Sequence, residues 1–127
     1  MRTSLAIAVA LLLAVAIAGT LSSGAMHALS QRYAGAAEEL RELVRQEEWD
    51  RAADCAAAYL AEWRGRLPAL QTLINHEDTD DVTLSLVTLE AGIAAQDRAG
   101  CLEACAQLRE QALHLYHRDA FTLANVL

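Results

Sequence analysis

The residues best suited to chemistry in this chain are five metal-ligand side chains close together: His76, Glu77, Asp78, Asp80 and Asp81. Imidazole nitrogens and carboxylate oxygens are ligands that divalent cations take in proteins. The spacing does not match an EF-hand loop, because the glycine and the distal glutamate of that motif are missing. We therefore favour a structural interpretation of this segment as a loop, in which His76 ends one helix and the carboxylates cap the next. A metal site in this loop is the alternative.

The three cysteines, Cys55, Cys101 and Cys105, allow three interpretations. Cys101 and Cys105 are one helical turn apart, and a zinc site would need two further ligands, for which Cys55 and His114 are available. A disulfide from Cys55 to either of the other two would suit an oxidising compartment and would leave one thiol over. Because Cys101 and Cys105 fall on an apolar stripe, we expect small buried side chains in preference to a disulfide or a metal site.

Two histidines and two tryptophans are further candidates. His114 and His117 share a helix face, but solvent-facing histidines near a helix C-terminus are the commoner case. Trp49 and Trp63 lie on one predicted stripe with leucines between them, which favours core packing over an aromatic clamp for a ligand.

No nucleophile and base can be assembled from the remaining residues. The chain has no lysine, which excludes Schiff-base chemistry and a P-loop. Beyond the N-terminal segment the only serines are Ser30 and Ser85, and neither lies in a G-x-S-x-G turn. We therefore predict that the protein is not an enzyme and uses no cofactor.

These residues follow a membrane element at the N-terminus. Arg2 precedes an uncharged apolar run, Leu5 to Leu21, of seventeen residues. At the helical rise this run spans about 25 Å, slightly less than a hydrocarbon core, and extension to Leu29 supplies the missing length. The positive-inside rule places Arg2 in the cytoplasm and the rest of the chain outside. Cleavage of a signal peptide near Ala25, giving a secreted protein, is the alternative.

We accordingly divide the chain into a signal-anchor over 1–28, which contacts lipid through 5–28, and an extracytoplasmic domain over 29–127. The part beyond residue 29 has nine arginines and seventeen acidic residues, so its net charge is 9 − 17 = −8. An acidic surface repels phosphate backbones, which argues against nucleic acid as a partner. The abundance of alanine and the single proline are typical of closely packed helices.

The first two helices of the domain follow from apolar spacing. The first starts near Ser30, or continues from the membrane helix, and ends near Gln46. The second alternates steps of four and three residues from Trp49 to Ile74, as in helices that pack at a shallow angle. Because the pattern keeps its phase across Pro68, we predict one kinked helix there.

Two further helices and a short final element complete the prediction. Asp78 or Thr79 would cap the third helix, and a turn over Gln96–Gly100 would lead into the fourth. Asp119–Leu127 would add a separate short element that packs on the core through Phe121, Leu123 and Val126. The predicted core comprises Leu40, Val44, Trp49, Ala56, Leu60, Trp63, Leu67, Leu70, Ile74, Leu86, Leu89, Ile93, Cys105 and Leu108.

A weak internal repeat relates the two halves of the domain at a constant offset along the chain. The corresponding pairs are Leu40 and Leu89, Val44 and Ile93, Ala52 and Cys101, Ala56 and Cys105, and Tyr59 and Leu108. Both halves read as helix, tight turn and helix. The fold class predicted is therefore all-α, with two helical hairpins forming an antiparallel bundle or a tetratricopeptide-like stack.

The order of these features resembles domain of unknown function 4363, a family of small membrane-anchored bacterial proteins. The matching features are the N-terminal anchor, Trp49, Trp63, His76, Glu77 and the terminal Asn125-Val126-Leu127. The resemblance implies a single-pass helical protein that acts as an accessory partner of membrane proteins, and it assigns no activity and no function to the three cysteines.

These observations lead to one expected function and one alternative. We expect an anchored, extracytoplasmic interaction module that presents an acidic helical surface to a membrane or envelope protein, or that self-associates through the seam of its second helix. The alternative is a small ligand- or metal-binding sensor domain that uses the segment from His76 to Asp81.

Overall fold

The computed structural model describes the side chains of residues 1–116 and the backbone of the last helix as far as Val126. It contains four helices: α1 (Arg2–Arg45), α2 (Trp49–Leu70), α3 (His76–Ala94) and α4 (Arg98–Val126). No strand occurs among these described residues, so the predicted all-α fold is confirmed.

Helix α1 joins the apolar N-terminal run to the domain without a break. It has 44 residues and is therefore about 66 Å long at the rise of an α-helix. Buried positions begin only at Met26, and the large apolar side chains between Leu5 and Leu21 are all exposed. Of the prediction's two versions, the one in which the first domain helix continues from the apolar N-terminal helix is correct. By length and composition α1 can cross a membrane, and none of its most apolar stretch is buried.

Helix α2 passes through Pro68 but ends earlier than predicted. Its last residue is Leu70, so the continuity across Pro68 is correct and the extension to Ile74 is wrong. Pro68 lies in the final turn, and because it has no amide proton the carbonyl of Arg64 loses its i+4 donor, at a cost of one helical hydrogen bond. The hydroxyl of Thr72 donates to the carbonyl of Ala69 at 2.6 Å and closes the end of the helix.

The predicted loop from His76 to Asp81 is also wrong, because these residues form the start of α3. Asn75 is the N-cap, a position that favours its residue type. The side-chain oxygen of Asn75 accepts a hydrogen bond from the Glu77 amide at 3.2 Å. Thr79 is fully buried on the same stripe as Val82, and burying both requires the helix to begin before Thr79. Neither Asp78 nor Thr79 therefore caps the helix.

The turns after α1 and α3 have the same backbone structure at equivalent positions of the internal repeat. Glu47 and Gln96 adopt left-handed conformations, with φ of 56° and 53°. In each turn the following amide bonds back five residues, from Glu48 to Leu43 at 3.0 Å and from Asp97 to Gly92 at 2.9 Å. Both are Schellman motifs in which a long polar residue stands where glycine is usual.

The four helices enclose one core. Helix α1 packs most extensively on α4, α3 lies against both α4 and α2, and α2 contacts α1 along a smaller surface. Trp63 and Tyr33 are the largest fully buried side chains. Three of the predicted core residues, Trp49, Leu67 and Ile74, are only partly buried. The other eleven are buried: Leu40, Val44, Ala56, Leu60, Trp63, Leu70, Leu86, Leu89, Ile93, Cys105 and Leu108.

The predicted short element over Asp119–Leu127 is not separate from the fourth helix. Helix α4 continues without a break to Val126. The expected core contacts of Phe121, Leu123 and Val126 lie outside the described side chains.

Candidate functional site

The ligand residues at the start of α3 do not converge on one point. Successive residues of a helix point about 100° apart, so the five side chains from His76 to Asp81 spread around the axis. Within residues 1–116, no group of three or more histidine, cysteine or acidic side chains is placed to hold a metal ion. The loop that the metal hypothesis required is absent, since the segment is helical.

Part of this set lines an acidic recess between α3 and α4. Asp78 and Asp81 face Glu110 and His114 there, with Gln111 and Leu115 completing the lining. The Ser85 hydroxyl donates to Oε1 of Gln111 at 2.6 Å, which ties the two helices together behind the recess. His114 is exposed, as expected for a histidine in this part of the helix, and the side chain of His117 lies outside the described residues.

All three cysteines are free thiols, so the disulfide offered as an alternative is not present. The reason is geometric: Cys55 lies beside Glu39 at the α1–α2 junction, whereas Cys101 and Cys105 lie on the buried stripe of α4. Burial raises the pKa of Cys105 to about 12 and also raises that of Cys101. Burial and then the Glu39 carboxylate raise the pKa of Cys55 to about 11. At neutral pH all three are protonated and weakly nucleophilic.

The most organised polar cluster joins α1 to α2 and centres on Glu62. Nε of Arg32 donates to both Glu62 oxygens, at 2.9 and 2.8 Å, and the Tyr33 hydroxyl donates to Oε2 at 3.0 Å. Arg66 approaches Oε1 at 3.4 Å. The hydrogen bond from Arg32 lowers the pKa of Glu62, and the same bond raises the pKa of the Arg32 guanidinium. Glu62 is therefore a carboxylate held by three donors from two helices.

A shallow groove beside this cluster contains a second hydrogen bond between α1 and α2. The Tyr59 hydroxyl donates to Glu39 at 2.7 Å, and this bond, followed by burial, raises the pKa of Tyr59 to about 12. The Arg32 guanidinium lies 5.6 Å from the centre of the Tyr59 ring, which is within cation–π distance. Together with Cys55 and Ala58, these residues line the groove. Each polar group is paired with another protein group, so the cluster has a structural role. We call the contacts of Arg32, Tyr33, Glu39, Tyr59 and Glu62 that join α1 to α2 the clamp.

The aromatic side chains extend the clamp into the core. The Tyr33 ring packs edge-on against Trp63, with centroids 5.0 Å apart, and against Tyr59 at 6.3 Å. Edge-to-face packing is a favoured arrangement of aromatic rings. Nε1 of Trp63 donates to the Thr83 hydroxyl of α3 at 2.8 Å. Trp63 thus links three helices from a buried position, which agrees with core packing.

Sequence reasoning missed this cluster. It assigned no function to Arg32, Glu39 or Glu62. The salt bridge between Arg32 and Glu62 joins residues far apart in the chain, so no spacing pattern within one helix could predict it. The one available signal was that Tyr33 shares the helical spacing of Leu40 and Val44, and that Trp63 lies on the predicted stripe of α2, so both aromatic residues could be expected at a helix–helix contact.

The fold and the cluster define an all-α protein with an apolar N-terminal helix and a small clamped domain. The sequence profile of the family described as Domain of unknown function (DUF4363) matches residues 20–126. The chain belongs to this family, as the resemblance predicted. No curated protein and no solved structure matches the chain.

Proposed function

We propose that this protein is a single-pass, membrane-anchored interaction module without catalytic activity, with its N-terminus in the cytoplasm and its domain outside. One observation carries the proposal: the first half of α1 is apolar and free of the domain, while the second half of the same helix forms core. A free apolar helix of this length is costly in water and stable in lipid. Because the helix is continuous, the anchor and the domain form one rigid element.

We further infer that the domain is an antiparallel bundle of two hairpins. Short turns join α1 to α2 and α3 to α4, and the Arg32–Glu62 and Tyr59–Glu39 bonds set an antiparallel register between the first two. The extensive contact between α1 and α4 supports a closed bundle over a tetratricopeptide-like stack, since an open stack leaves its first and last helices apart.

The outer face of α3 is the surface we assign to a protein partner. Beyond the N-terminal run, Leu73, Leu84 and Val87 are the exposed large apolar residues among those described, and Leu84 and Val87 are one turn apart on α3. Exposed apolar side chains with a polar surround are typical of contact surfaces. The net charge of −7 for the whole chain favours a partner whose contact surface is basic.

The sensor alternative has lost its structural premise. It required a loop from His76 to Asp81, and that segment is the first part of α3.

Membrane insertion is tested by alkaline extraction of membranes from the native host, with intact mass measured on the same sample. The full-length chain should stay in the membrane pellet. Leu12→Arg should release it, because a central arginine costs about 2.5–3.5 kcal/mol of insertion free energy. Ser23→Arg places the same charge near the outer end of the span, where a long arginine side chain can reach the headgroups, and should leave the chain in the pellet. A wild-type chain that is soluble and cleaved near Ala25 would refute the anchor.

Partner binding is tested by purification in mild detergent through a tag after Leu127. One membrane protein should co-purify in stoichiometric amount and should be lost with Leu84→Glu. Ala57→Glu, on the exposed side of α2, is the matched control and should retain the partner. Retention of the partner by Leu84→Glu would show that the contact does not involve this face of α3.

A further inference from the structure

The turn between α2 and α3, residues 71–75, lies at the end of the domain from which the apolar half of α1 extends. Glu62 is level with Arg32, and Tyr59 is level with Glu39, because each pair is hydrogen-bonded across the antiparallel helices. Helix α2 continues beyond Glu62 as far as Leu70. At the rise of an α-helix, this extension is about 12 Å along the axis. The matching position on α1 is between Gly24 and Ala28.

The fourth helix reaches this level at Tyr116 and continues past it, toward the apolar run of α1, as far as Val126. The Tyr116 ring of α4 packs edge-on against the ring of His27, with centroids 4.7 Å apart. The apolar run of α1 ends at Leu21, a few residues before this contact. When α1 crosses a bilayer, the α2–α3 turn is therefore held at the height of the lipid headgroups.

The turn presents an apolar side chain at that height. Leu73 is 69% exposed, while its neighbours Leu70 and Ile74 point into the domain and are buried or partly buried. Leu73 therefore contributes little to the core, and its position relative to α1 is set by the clamp on Glu62.

The amides of residues 71–74 of the turn are already hydrogen-bonded within the protein. The amides of Leu73 and Ile74 both donate to the Leu70 carbonyl, at 2.9 and 2.8 Å, and the Thr72 amide donates to Ala69 at 3.3 Å. The Thr72 hydroxyl donates to the same Ala69 carbonyl. Polar groups paired in this way can leave bulk water at little cost, which is the condition for entering a membrane interface.

We propose that the α2–α3 turn, with Leu73 at its tip, docks into the interfacial layer of the leaflet through which α1 emerges. This inference rests on the proposed membrane anchor, and its occupant is the phospholipid surface itself. Two points of contact, α1 and Leu73, fix the orientation of the domain on the membrane. The outer face of α3 is then presented at a constant angle and height.

Charge limits how deep the turn goes and which lipid it prefers. Glu77, Asp80 and Asp81 follow shortly after Leu73 and are exposed. Anionic headgroups repel these carboxylates, so docking is shallow and is stronger on zwitterionic lipid. The neighbouring cations Arg64 and Arg66 lie on α2, and Arg66 is partly neutralised by Glu62.

The test uses the full chain reconstituted in phosphatidylcholine vesicles, with a nitrobenzoxadiazole probe at Leu73→Cys. Cys55→Ser removes the accessible native thiol and keeps a donor toward Glu39. Leu84→Cys is the matched control, because Leu84 is exposed to a similar degree, 66%, but lies well inside α3. Thr72→Cys supplies a second probe in the turn. Headgroup-level nitroxide lipids should quench both turn probes at least about twofold more than the Leu84 probe.

Vesicle flotation of the same samples separates the two proposals. Flotation with selective quenching in the turn supports docking, and added phosphatidylserine should then reduce the quenching. Flotation with equal quenching at Leu73 and Leu84 overturns docking and leaves the anchor intact. If the chain does not float with the vesicles, the membrane anchor is refuted, and so is the docking of the turn that depends on it.

Discussion

Replacing Glu47 or Gln96 with glycine should stabilise the domain, although glycine usually weakens helical proteins. Both residues are in the left-handed region, at the C′ position of a Schellman turn. Such a conformation costs a residue with a β-carbon about 1–2 kcal/mol. Neither side chain makes a hydrogen bond or ion pair with any described residue, so truncation removes no contact of either kind.

The size of the effect follows from two opposing terms. Removing the strain of the left-handed conformation raises the free energy of unfolding by about 1–2 kcal/mol. The greater freedom of glycine in the unfolded chain lowers it by about 0.4–1 kcal/mol. Each of Glu47→Gly and Gln96→Gly should therefore raise the free energy of unfolding by about 0.8 kcal/mol at the mid-values of the two terms, and by at most about 1.6 kcal/mol. The two residues line one recess at the domain's end, so the double variant also measures their coupling.

The assay is urea unfolding of the full chain in mild detergent, followed by far-ultraviolet circular dichroism. Glu90→Gly and Gln107→Gly are the matched controls, because both are exposed and lie inside α3 and α4. The same change of residue type should there cost about 0.5–1 kcal/mol. If Gln96→Gly and Gln107→Gly destabilise the protein equally, the assignment of strain to the two turns is wrong.

Three further predictions concern packing, pH and thiol reactivity. Gly92→Ala would place a β-carbon 2.8 Å from Sγ of Cys101. This overpacking should cost about 1–3 kcal/mol in urea unfolding. Adding Cys101→Ala should recover most of that loss, and no recovery would place the clash elsewhere. The pKa of Glu62 is lowered below its ordinary 4.5, so its contribution to stability is present above that value and is lost as pH falls through the lower, folded pKa. Glu62→Gln should therefore flatten the acid side of the stability profile, whereas Glu103→Gln, exposed on α4, should leave it unchanged. Iodoacetamide at mildly alkaline pH should modify Cys55 slowly and Cys101 and Cys105 only after unfolding, as read by mass spectrometry, because burial keeps these thiols protonated. Rapid native-state labelling of Cys105 would contradict its burial.

The buried apolar stripes of the helices could be predicted because each depends only on residues close together in the sequence. Val82, Leu86, Leu89 and Ile93 recur at helical spacing, and all four are buried. The period of a helix determines which residues share a face before any partner is known. The apolar N-terminal run is equally local, since its length and lack of charge are properties of consecutive residues.

Helix ends were harder to predict because several nearby residues cap equally well. Asn75, Asp78 and Thr79 are all good N-caps by type. The choice of Asn75 depends on the burial of Thr79, which is decided by what α3 packs against. For α2, the prediction that the helix continues through Pro68 was correct. Its end at Leu70 could not be predicted, because it depends on the turn that brings α3 back against α2.

The clamp between α1 and α2 could not be predicted from a single sequence. Arg32 and Glu62 meet only because α1 and α2 are antiparallel in one particular register. Shifting that register by one residue would rotate each side chain by about 100° and separate the pair. The cysteines also depend on helix packing. The packing of α4 buries Cys101 and Cys105 and keeps them apart from Cys55, and the three therefore remain free thiols.

The all-α class, the apolar N-terminal run, the buried stripes and the acidic charge could be predicted from the amino-acid sequence, because each depends on composition or on spacing along one helix. Three features required the tertiary structure: the continuity of α1 from the apolar run into the core, the choice of Asn75 as the cap of α3, and the contacts of Glu62 that join α1 to α2. Those features require contacts between residues far apart in sequence, and the free energy that selects them comes from burying all four helices together.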